Sequence, residues 1–335
     1  MKPSGIMSIF VIFFIVLCII LGWITFSMKT PVDKNAGYLV FNIPSGASIY
    51  RISKELEESA LVPNRHVFSL WIRIKGVGNE MKAGEYLLSS SMSPLEILEI
   101  LRQGRVATHT ITIPEGFSIM QIADLFYDAG LAEKEKFLEA SRGSELLKKY
   151  NIMADSLEGY LYPDTYRMAK GLTAISIIEV LVSRFMEVYK EIIARNYTTD
   201  MSMEELVTLA SIIEKETGKS SERPMVSSVF HNRLKKGMKL ESDPTVIYGI
   251  HDFNGKITKK DLNAVTPYNT YIISGLPPGP IANPGKAAIE AALKPAETDY
   301  LFFVSKNDGT HVFSESYRDH VNAVNKYQRR GKKSQ

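Results

Sequence analysis

An acidic residue in the segment ASIIEKET at 210–217 is placed where a general acid could work. Glu216 follows the apolar residues Leu209 and Ile212 at helical spacing, so it extends the buried stripe of one helix. Burial among apolar neighbours and the negative end of the helix dipole both disfavour ionisation of a carboxyl at this position. A carboxyl that keeps its proton near neutral pH can act as a general acid.

The helix that carries Glu216 has recognisable limits in the sequence. Ser202, with Glu205 three residues later, forms a capping box that predicts the start of the helix. Gly218 predicts its C-terminal cap. A simpler interpretation is that Glu216 only caps this helix or pairs with a neighbouring lysine.

Composition excludes several classes of function. The 335 residues are 45% apolar with a formal net charge of +3, and no basic stripe with interleaved aromatics predicts a nucleic-acid partner. The six histidines form no H-E-x-x-H pair, and the single cysteine, Cys18, can form neither an intramolecular disulfide nor a thiolate metal site. A serine hydrolase is disfavoured because G-x-S-x-G does not occur. The sequence therefore predicts no metal and no cofactor.

The N-terminal region is an uncharged run of 21 residues over 6–26, bounded by Lys2 and Lys29. At about 1.5 Å per residue this run can cross a hydrocarbon core of about 30 Å. Residues 22–26 lack the small-residue pattern of a signal-peptide cleavage site, so an uncleaved anchor over 1–30 is preferred. The flanking lysines do not decide its orientation.

An internal repeat with a period of 70 residues follows the anchor. IPSGASIYRISKELEESALV at 43–62 aligns without gaps with IPEGFSIMQIADLFYDAGLA at 113–132. Each copy predicts a strand, a Pro-x-Gly turn and a helix, with Ser48 and Ser118 as the N-caps. The repeat divides this region into one α/β unit over 31–105 and a second over 106–172.

The rest of the chain predicts a mostly helical domain over 173–328 with a small β element, so the fold class is α+β. The predicted elements are helices over 173–195 and 220–236 and strands over 301–305 and 309–313, joined by a turn at 307–309. The helix over 173–195 is expected to pack against the helix that carries Glu216. The basic segment 329–335 predicts a solvated tail.

Five segments carry a resemblance to a known family. They are ASIIEKET at 210–217, SER at 221–223, NRL at 232–234, SDPTVIYG at 242–249, and YNTYIISGLPPGPIANPG at 268–285. Together they resemble the membrane-anchored endolytic murein (peptidoglycan) transglycosylases of the YceG-like type, most densely over residues 204–327. The resemblance implies cleavage of the bond between N-acetylmuramic acid and N-acetylglucosamine in nascent strands, giving a 1,6-anhydro end and terminating glycan elongation.

The resemblance also implies roles for individual residues. Glu216 matches the catalytic acid, and Glu214 remains a supporting or surface residue. The matched substrate-binding candidates are Glu222, Asn232, Asp243, Thr245, Tyr248, Tyr268, Asn269, Thr270 and Tyr271. A hydrolase would need a second carboxylate, for which the candidates are Glu222, Glu241 and Asp243. Asp243 also fits a plain helix N-cap or turn.

The repeat units resemble small LysM-like modules that bind N-acetylated glycans, although a duplicated scaffold without a ligand explains them equally well. The resemblance places the large domain on the external, periplasmic side of the cytoplasmic (inner) membrane. It implies as partners the peptidoglycan strands, the membrane, penicillin-binding synthases and other elongation-complex proteins. A competing hypothesis is a wall-binding scaffold that recruits synthases and performs no chemistry.

Overall fold

The structure of the protein is a computed structural model that describes residues 3–195, 199–250 and 253–329. The α-helices are α1 (Pro3–Lys29), α2 (Ile49–Glu58), α3 (Arg65–Lys75), α4 (Pro94–Gln103), α5 (Ile119–Asp128), α6 (Lys134–Ser141), α7 (Ser144–Lys149), α8 (Ala174–Ile193), α9 (Met203–Glu216), α10 (Arg223–Lys235), α11 (Asp243–Tyr248), α12 (Lys259–Leu262), α13 (Lys286–Leu293) and α14 (Tyr317–Val324). The strands are β1 (Tyr38–Ile43), β2 (Gly84–Ser89), β3 (Thr108–Thr112), β4 (Thr165–Ala169), β5 (Phe302–Ser305) and β6 (His311–Ser314). Small sheets between helices make the class α+β, as the sequence predicts.

The chain divides into two compact units. The first comprises Met1–His109 and Arg167–Gly171, and the second comprises Thr110–Tyr166 and Leu172–Gln335. The repeat unit predicted over 106–172 therefore lies mostly in the same compact unit as the segment that carries Glu216.

The first unit is built on the antiparallel pair β1–β2, in which Tyr38 faces Ser89 and Ile43 faces Gly84. Helices α2 and α3 pack against each other, and the apolar faces of α2, α3 and α4 form one core with the buried face of the sheet. The C-terminal end of α1 belongs to this core, because Ile24 and Met28 are buried in it.

The two sequence repeats adopt matching local conformations. Gly46 and Gly116 both have φ of +76°, a left-handed conformation that glycine adopts without steric cost. Two residues later, Ser48 and Ser118 accept a hydrogen bond from the third residue of α2 and α5, so both predicted N-caps are confirmed.

Helix α9 is the central helix of the second unit. Residues 206–213 are buried without a break, so the helix is surrounded by protein rather than packed along one stripe. It packs chiefly against α13 and also contacts α10 and α11. The predicted helix over 173–195 is observed as α8, which packs chiefly against α6.

Several element boundaries differ from the sequence prediction. The helix expected over 220–236 is a 3-10 turn, Ser220–Glu222, followed by α10, which has Pro224 in its first turn. The prediction that Gly218 caps this helix is wrong, because α9 already ends at Glu216 and Thr217 is extended with φ of −141°. The hairpin β5–β6 is confirmed, with Ser305 opposite His311.

The sequence predicts a membrane anchor at the N-terminus and a basic tail at the C-terminus. Helix α1 contains one segment, Met7–Lys29, that is long and apolar enough to cross a membrane. The basic tail predicted over 329–335 lies outside the described residues from position 330 onward.

Candidate active site

Glu216 is the last residue of α9. The capping box of Ser202 and Glu205 is confirmed at the other end of the helix, where each residue bonds the backbone N–H of the other. Because Thr217 leaves the helical conformation, the Glu216 side chain projects from the end of a buried helix and is itself half-buried. A carboxyl on so constrained a helix is held in position before any ligand arrives.

The loop before α11 supplies the partner of this carboxyl. The buried Ser242 hydroxyl donates to Oε1 of Glu216 at 2.5 Å. The next residue, Asp243, accepts a hydrogen bond from the Tyr271 hydroxyl at 2.7 Å. Two carboxylates and a tyrosine therefore meet at the N-terminal end of α11.

Burial raises the pKa of Glu216 to about 7. The Ser242 hydroxyl acts in the opposite direction because it donates to the ionised form, and the nearby Asp243 charge raises the pKa further. A carboxyl with a pKa near neutral can both give and take a proton at physiological pH, as one residue that serves as acid and then as base requires.

The loop that presents Ser242 is fixed by Arg233 of α10. The buried guanidinium donates to the carbonyl oxygens of Leu301, Lys239 and Leu240, at 2.7, 3.0 and 3.0 Å, and pairs with Glu241 at 3.0 Å. A planar group with five donors suits such a cluster of acceptors. Arg233 thus positions the residues immediately before Ser242.

Two threonines fix Ser242 from the other side. Thr245 donates to the Ser242 carbonyl at 2.7 Å, and Thr270 accepts from the Ser242 N–H at 2.9 Å. The two threonine hydroxyls lie 2.8 Å apart, and both side chains are fully buried. The sequence offered Thr245 and Thr270 as substrate-binding residues, but in the structure their hydroxyls orient the partner of Glu216.

Glu214, the other acid of E-K-E-T, is not a surface residue. Its side chain is only 5% exposed and forms an ion pair with Arg223 at 2.6 Å. It also accepts from the Gly285 N–H at 3.0 Å. Arg223 reaches Glu115 at 3.1 Å as well. Of the two acids in E-K-E-T, Glu214 is therefore the supporting residue. It joins α9 to α10 and to the start of α13.

A second buried carboxyl, Glu158, lies elsewhere in the same unit and is 5% exposed. It accepts from the Ile119 N–H at 3.0 Å, the Asn283 amide at 3.0 Å and the Tyr248 hydroxyl at 3.2 Å. Burial raises the pKa of Glu158 to about 7, against these hydrogen bonds. A cavity of about 520 Å³ borders Glu158 and Tyr248.

Sequence comparison decides to which family this arrangement belongs. A family model described as the YceG-like family matches residues 41–326, which is most of the chain. The chain belongs to the YceG-like family. The resemblance inferred from the five short segments is thereby confirmed.

Relatives of this YceG-like chain carry informative names. It is 34% identical over 321 residues to the endolytic murein transglycosylase of Bacillus subtilis (strain 168), covering 90% of this chain and 88% of the relative. It is 30% identical over 323 residues to the endolytic murein transglycosylase of Streptococcus pneumoniae serotype 2 (strain D39 / NCTC 7466), covering 87% of this chain and 58% of that protein. The 2.6 Å crystal structure of a YceG-like protein from Listeria monocytogenes matches with a TM-score of 0.58 and 34% identity, over 86% of this chain and 99% of that one.

Of the substrate-binding candidates, the structure brings Asp243 and Tyr271 to Glu216. Tyr248 and Tyr268 pack against each other with ring centroids 4.8 Å apart. The Tyr248 hydroxyl donates a hydrogen bond to Glu158. Tyr268 and Tyr271 remain partly exposed and can present ring faces to a ligand.

Three further candidates use their polar groups within the protein. Glu222 pairs with His311 at 2.7 Å, and the Asn232 amide donates to the Thr298 carbonyl at 2.7 Å. The buried Asn269 amide donates to the Ala264 carbonyl at 2.7 Å. Burial raises the pKa of Glu222, but the His311 hydrogen bonds outweigh it and the net shift is downward. These contacts join segments within the protein, and sugar binding by the same three residues stays a prediction.

The sequence interpretation missed Ser242 as the partner of Glu216 and Glu158 as a buried carboxyl. Ser242 stands beside Asp243 in the matched segment SDPTVIYG, so the segment itself was a usable signal. Glu158 lies in EGYLYPDT, a segment outside the five that carry the family resemblance, and no motif in it marks a buried carboxyl. Gly159 has φ of +89°, and a Cβ there would meet Pro280 at 2.6 Å, so this turn lies close to the rest of the unit.

Replacing Ser242 with Ala is expected to shift the pH dependence of glycan cleavage to higher pH. The Ser242 hydroxyl favours the ionised form of Glu216, so its loss raises the pKa of that carboxyl further. On the expectation that cleavage requires protonated Glu216, activity then persists to higher pH, and the falling limb of kcat against pH moves upward. Ser242→Thr keeps a hydroxyl and serves as the control. If the falling limb does not move in Ser242→Ala, the group that titrates in that limb is not Glu216.

Replacing Glu158 with Ala is expected to lower the free energy of unfolding by about 3 kcal/mol, measured by urea denaturation. The change leaves the Ile119 N–H, the Asn283 amide and the Tyr248 hydroxyl without their acceptor in a buried site. Glu158→Gln keeps one acceptor oxygen, so it should lose less. A Glu158→Ala variant as stable as the wild type would show that this hydrogen-bond network contributes little.

Glu158→Gln should also flatten the pH dependence of stability. The pKa of Glu158 is raised from 4.5 to about 7 by burial, so between these pH values the unfolded chain releases a proton that the folded chain keeps. The stability associated with this carboxyl is therefore fully present below pH 4.5 and is lost as the pH rises to about 7. The amide that replaces the carboxyl in this variant does not titrate, so the decline should disappear when unfolding is measured across the interval.

Proposed function

We propose that this chain is an endolytic murein transglycosylase that uses Glu216 to cut the bond between N-acetylmuramic acid and N-acetylglucosamine in nascent peptidoglycan. The observation that carries the proposal is the half-buried Glu216 carboxyl, with its pKa raised to about 7 and a bond to Ser242. Two relatives that match most of this chain bear the name endolytic murein transglycosylase, which supports the same reaction class.

The proposed reaction moves one proton through Glu216 in both directions. The protonated carboxyl donates to the glycosidic oxygen, and the bond from that oxygen to C1 of the muramic sugar breaks. The resulting carboxylate removes the proton from the C6 hydroxyl of the same sugar, and that oxygen bonds to C1. The product has a 1,6-anhydro end, no water is consumed, and Glu216 regains its starting protonation state. This is the lyase form of the activity.

The proposed sugar-binding groove begins beside Glu216. Tyr271 is fixed by its bond to Asp243, and Tyr268 lies three residues before it on the same loop. Partly exposed tyrosine rings pack against the flat faces of sugar rings, and their fixed positions lower the ordering cost of binding. We assign these two rings to substrate and the two buried threonines to the support of Ser242.

The repeat units are proposed to be LysM-like modules, on the evidence of their matching strand, turn and capped helix. The domain division proposed from the sequence, with a first module over 31–105, a second over 106–172 and a catalytic domain over 173–328, stays part of this proposal. Whether glycan contacts the first module can be measured with the isolated sugar polymer and the full chain.

We further propose that α1 is retained as a membrane anchor and that the large domain lies on the outer side of the cytoplasmic membrane. Ile24 is 6% exposed and Met28 is 1% exposed, and both pack in the core of the first unit. Removal of α1 as a signal peptide would uncover that core, at a cost of about 1.5–3 kcal/mol for each fully buried side chain. Anchoring would confine cleavage to strands near their synthesis, beside the penicillin-binding synthases implied as partners.

Product analysis tests the proposed function. The full chain in detergent is incubated with purified glycan strands, and the new ends are identified by mass. Anhydro ends support the lyase, whereas reducing ends that have gained one water would indicate a hydrolase with Asp243 as the second carboxylate. Binding without new ends of either kind would favour the alternative, a non-catalytic scaffold.

A shortened chain for crystallography should keep Ile24 and Met28, since both belong to the folded core.

A further inference from the structure

The cavity of about 520 Å³ in the second unit is not explained by the reaction at Glu216. Neither Glu216 nor Ser242 nor Asp243 lines it. Its lining includes Ser118, Leu138, Arg142, Lys215, Ile247 and Tyr248. The cavity is therefore a separate place on the surface of the same unit.

The cavity nevertheless shares two elements with the site of Glu216. Lys215, at the end of α9, lines the cavity and directly precedes Glu216. Helix α11 has Ser242 at its N-cap, where it bonds Glu216, and presents Ile247 and Tyr248 to the cavity. Because a six-residue helix is about 9 Å long, a group attached to a sugar at Glu216 needs only a short reach to enter the cavity.

The walls of the cavity suit an amphipathic anion better than a neutral sugar. The apolar part of the lining is mostly aliphatic. Tyr248, the one aromatic residue among the described residues of the lining, packs against Tyr268, and its hydroxyl donates a hydrogen bond to Glu158. Sugar sites in proteins usually offer free ring faces and free hydrogen-bonding groups. The partly exposed ring of Tyr271 lies instead beside Glu216, where its hydroxyl bonds Asp243.

The charged residues of the cavity also favour an anionic ligand. Arg142 is exposed at its edge, and the Lys215 ammonium donates to the Gly116 carbonyl at 3.2 Å. Among the described residues that line the cavity, Glu158 is the one acid. Its oxygens face the Ile119 N–H, the Asn283 amide and the Tyr248 hydroxyl, so it belongs to the wall. An arginine at the edge of an aliphatic cavity can bind a carboxylate through two parallel hydrogen bonds.

We propose that this cavity binds the peptide attached to the muramic acid residue, with its methyl groups against Ile247 and Ile281 and a free carboxylate on Arg142. The inference rests on the proposed function, because it places the sugar that carries the peptide at Glu216. Peptidoglycan peptides are short, contain alanine and carry free carboxylates, which matches an aliphatic wall with a cation at its edge. The cavity thus selects strands that still carry their peptides.

Cleavage of two matched substrates tests the proposal. The full chain in detergent is assayed on peptide-bearing strands and on the same strands after enzymatic removal of the peptides, counting new ends of either kind. The ratio of kcat/KM for the two substrates should fall about tenfold in Arg142→Glu, as expected for loss of a charge-assisted contact. Arg142→Lys, which keeps the charge, should restore part of the ratio. Arg318→Glu, an exposed arginine of α14, is the control and should leave the ratio unchanged.

A direct binding measurement separates this proposal from the proposed function. Glu216→Gln protein is titrated calorimetrically with N-acetylmuramyl pentapeptide and with N-acetylmuramic acid. The peptide compound should bind more tightly, and adding Arg142→Glu should weaken it about tenfold. If the wild type cuts neither substrate, the proposed function fails while Arg142-dependent binding still supports the cavity. An unchanged substrate ratio, or equal binding of both compounds, would overturn the proposal.

Discussion

Replacing Glu216 with Gln should lower the rate of glycan cleavage by about 10³-fold or more, within the range measured for loss of a general acid or base. The expected effect is large because, in the proposed reaction, the same carboxyl supplies the proton to the leaving oxygen and removes the proton from the attacking hydroxyl. The glutamine side chain of this variant has nearly the same shape and can accept the hydrogen bond from Ser242, so the site should keep its structure. Cleavage is measured as new strand ends identified by mass.

Glu205→Gln provides the matched control on the same helix. Glutamine at the third helical position also completes a capping box, so α9 should keep its N-terminus and the chain its activity. Equal turnover by Glu216→Gln and the wild type, with both chains folded, would remove Glu216 from the reaction. Loss of activity in both Gln variants would instead indicate that α9 as a whole had been disturbed.

The features that could be predicted from the sequence are those with local causes. The capping box at Ser202 requires residues three positions apart. The hairpin turn before His311 and the serine N-caps of the two repeats have causes of the same kind. Each of these was confirmed because neighbouring residues determine it.

The features that could not be predicted depend on contacts between distant parts of the chain. The bond from Ser242 to Glu216 joins residues 26 positions apart, and that from Asn283 to Glu158 joins residues 125 apart. No periodicity encodes such a contact. Thr245 shows the same limit, because the matched motif contains its hydroxyl but does not reveal the hydrogen bond from that hydroxyl to the Ser242 carbonyl.

Replacing Arg223 with Met should lower the free energy of unfolding by about 3–5 kcal/mol, the loss typical when one partner of a buried ion pair is removed. Glu214 would then lie buried without its cation, because its side chain is 5% exposed and the remaining contact is the Gly285 N–H. Arg318→Met, at an exposed arginine, should change stability by less than about 0.5 kcal/mol. Both values follow from urea denaturation of the full chain in detergent.

The pH dependence of the Arg223→Met loss identifies its origin. Burial raises the pKa of Glu214 and the Arg223 charge lowers it, so the variant raises that pKa further. A carboxyl whose folded pKa lies above its unfolded value loses stability as the pH rises, so the deficit should be larger at pH about 8 than at pH about 5. Adding Glu214→Gln should then recover part of the loss, because no buried charge remains. A deficit that is independent of pH and unaffected by Glu214→Gln would mean that Arg223 acts through packing and not through its charge on Glu214.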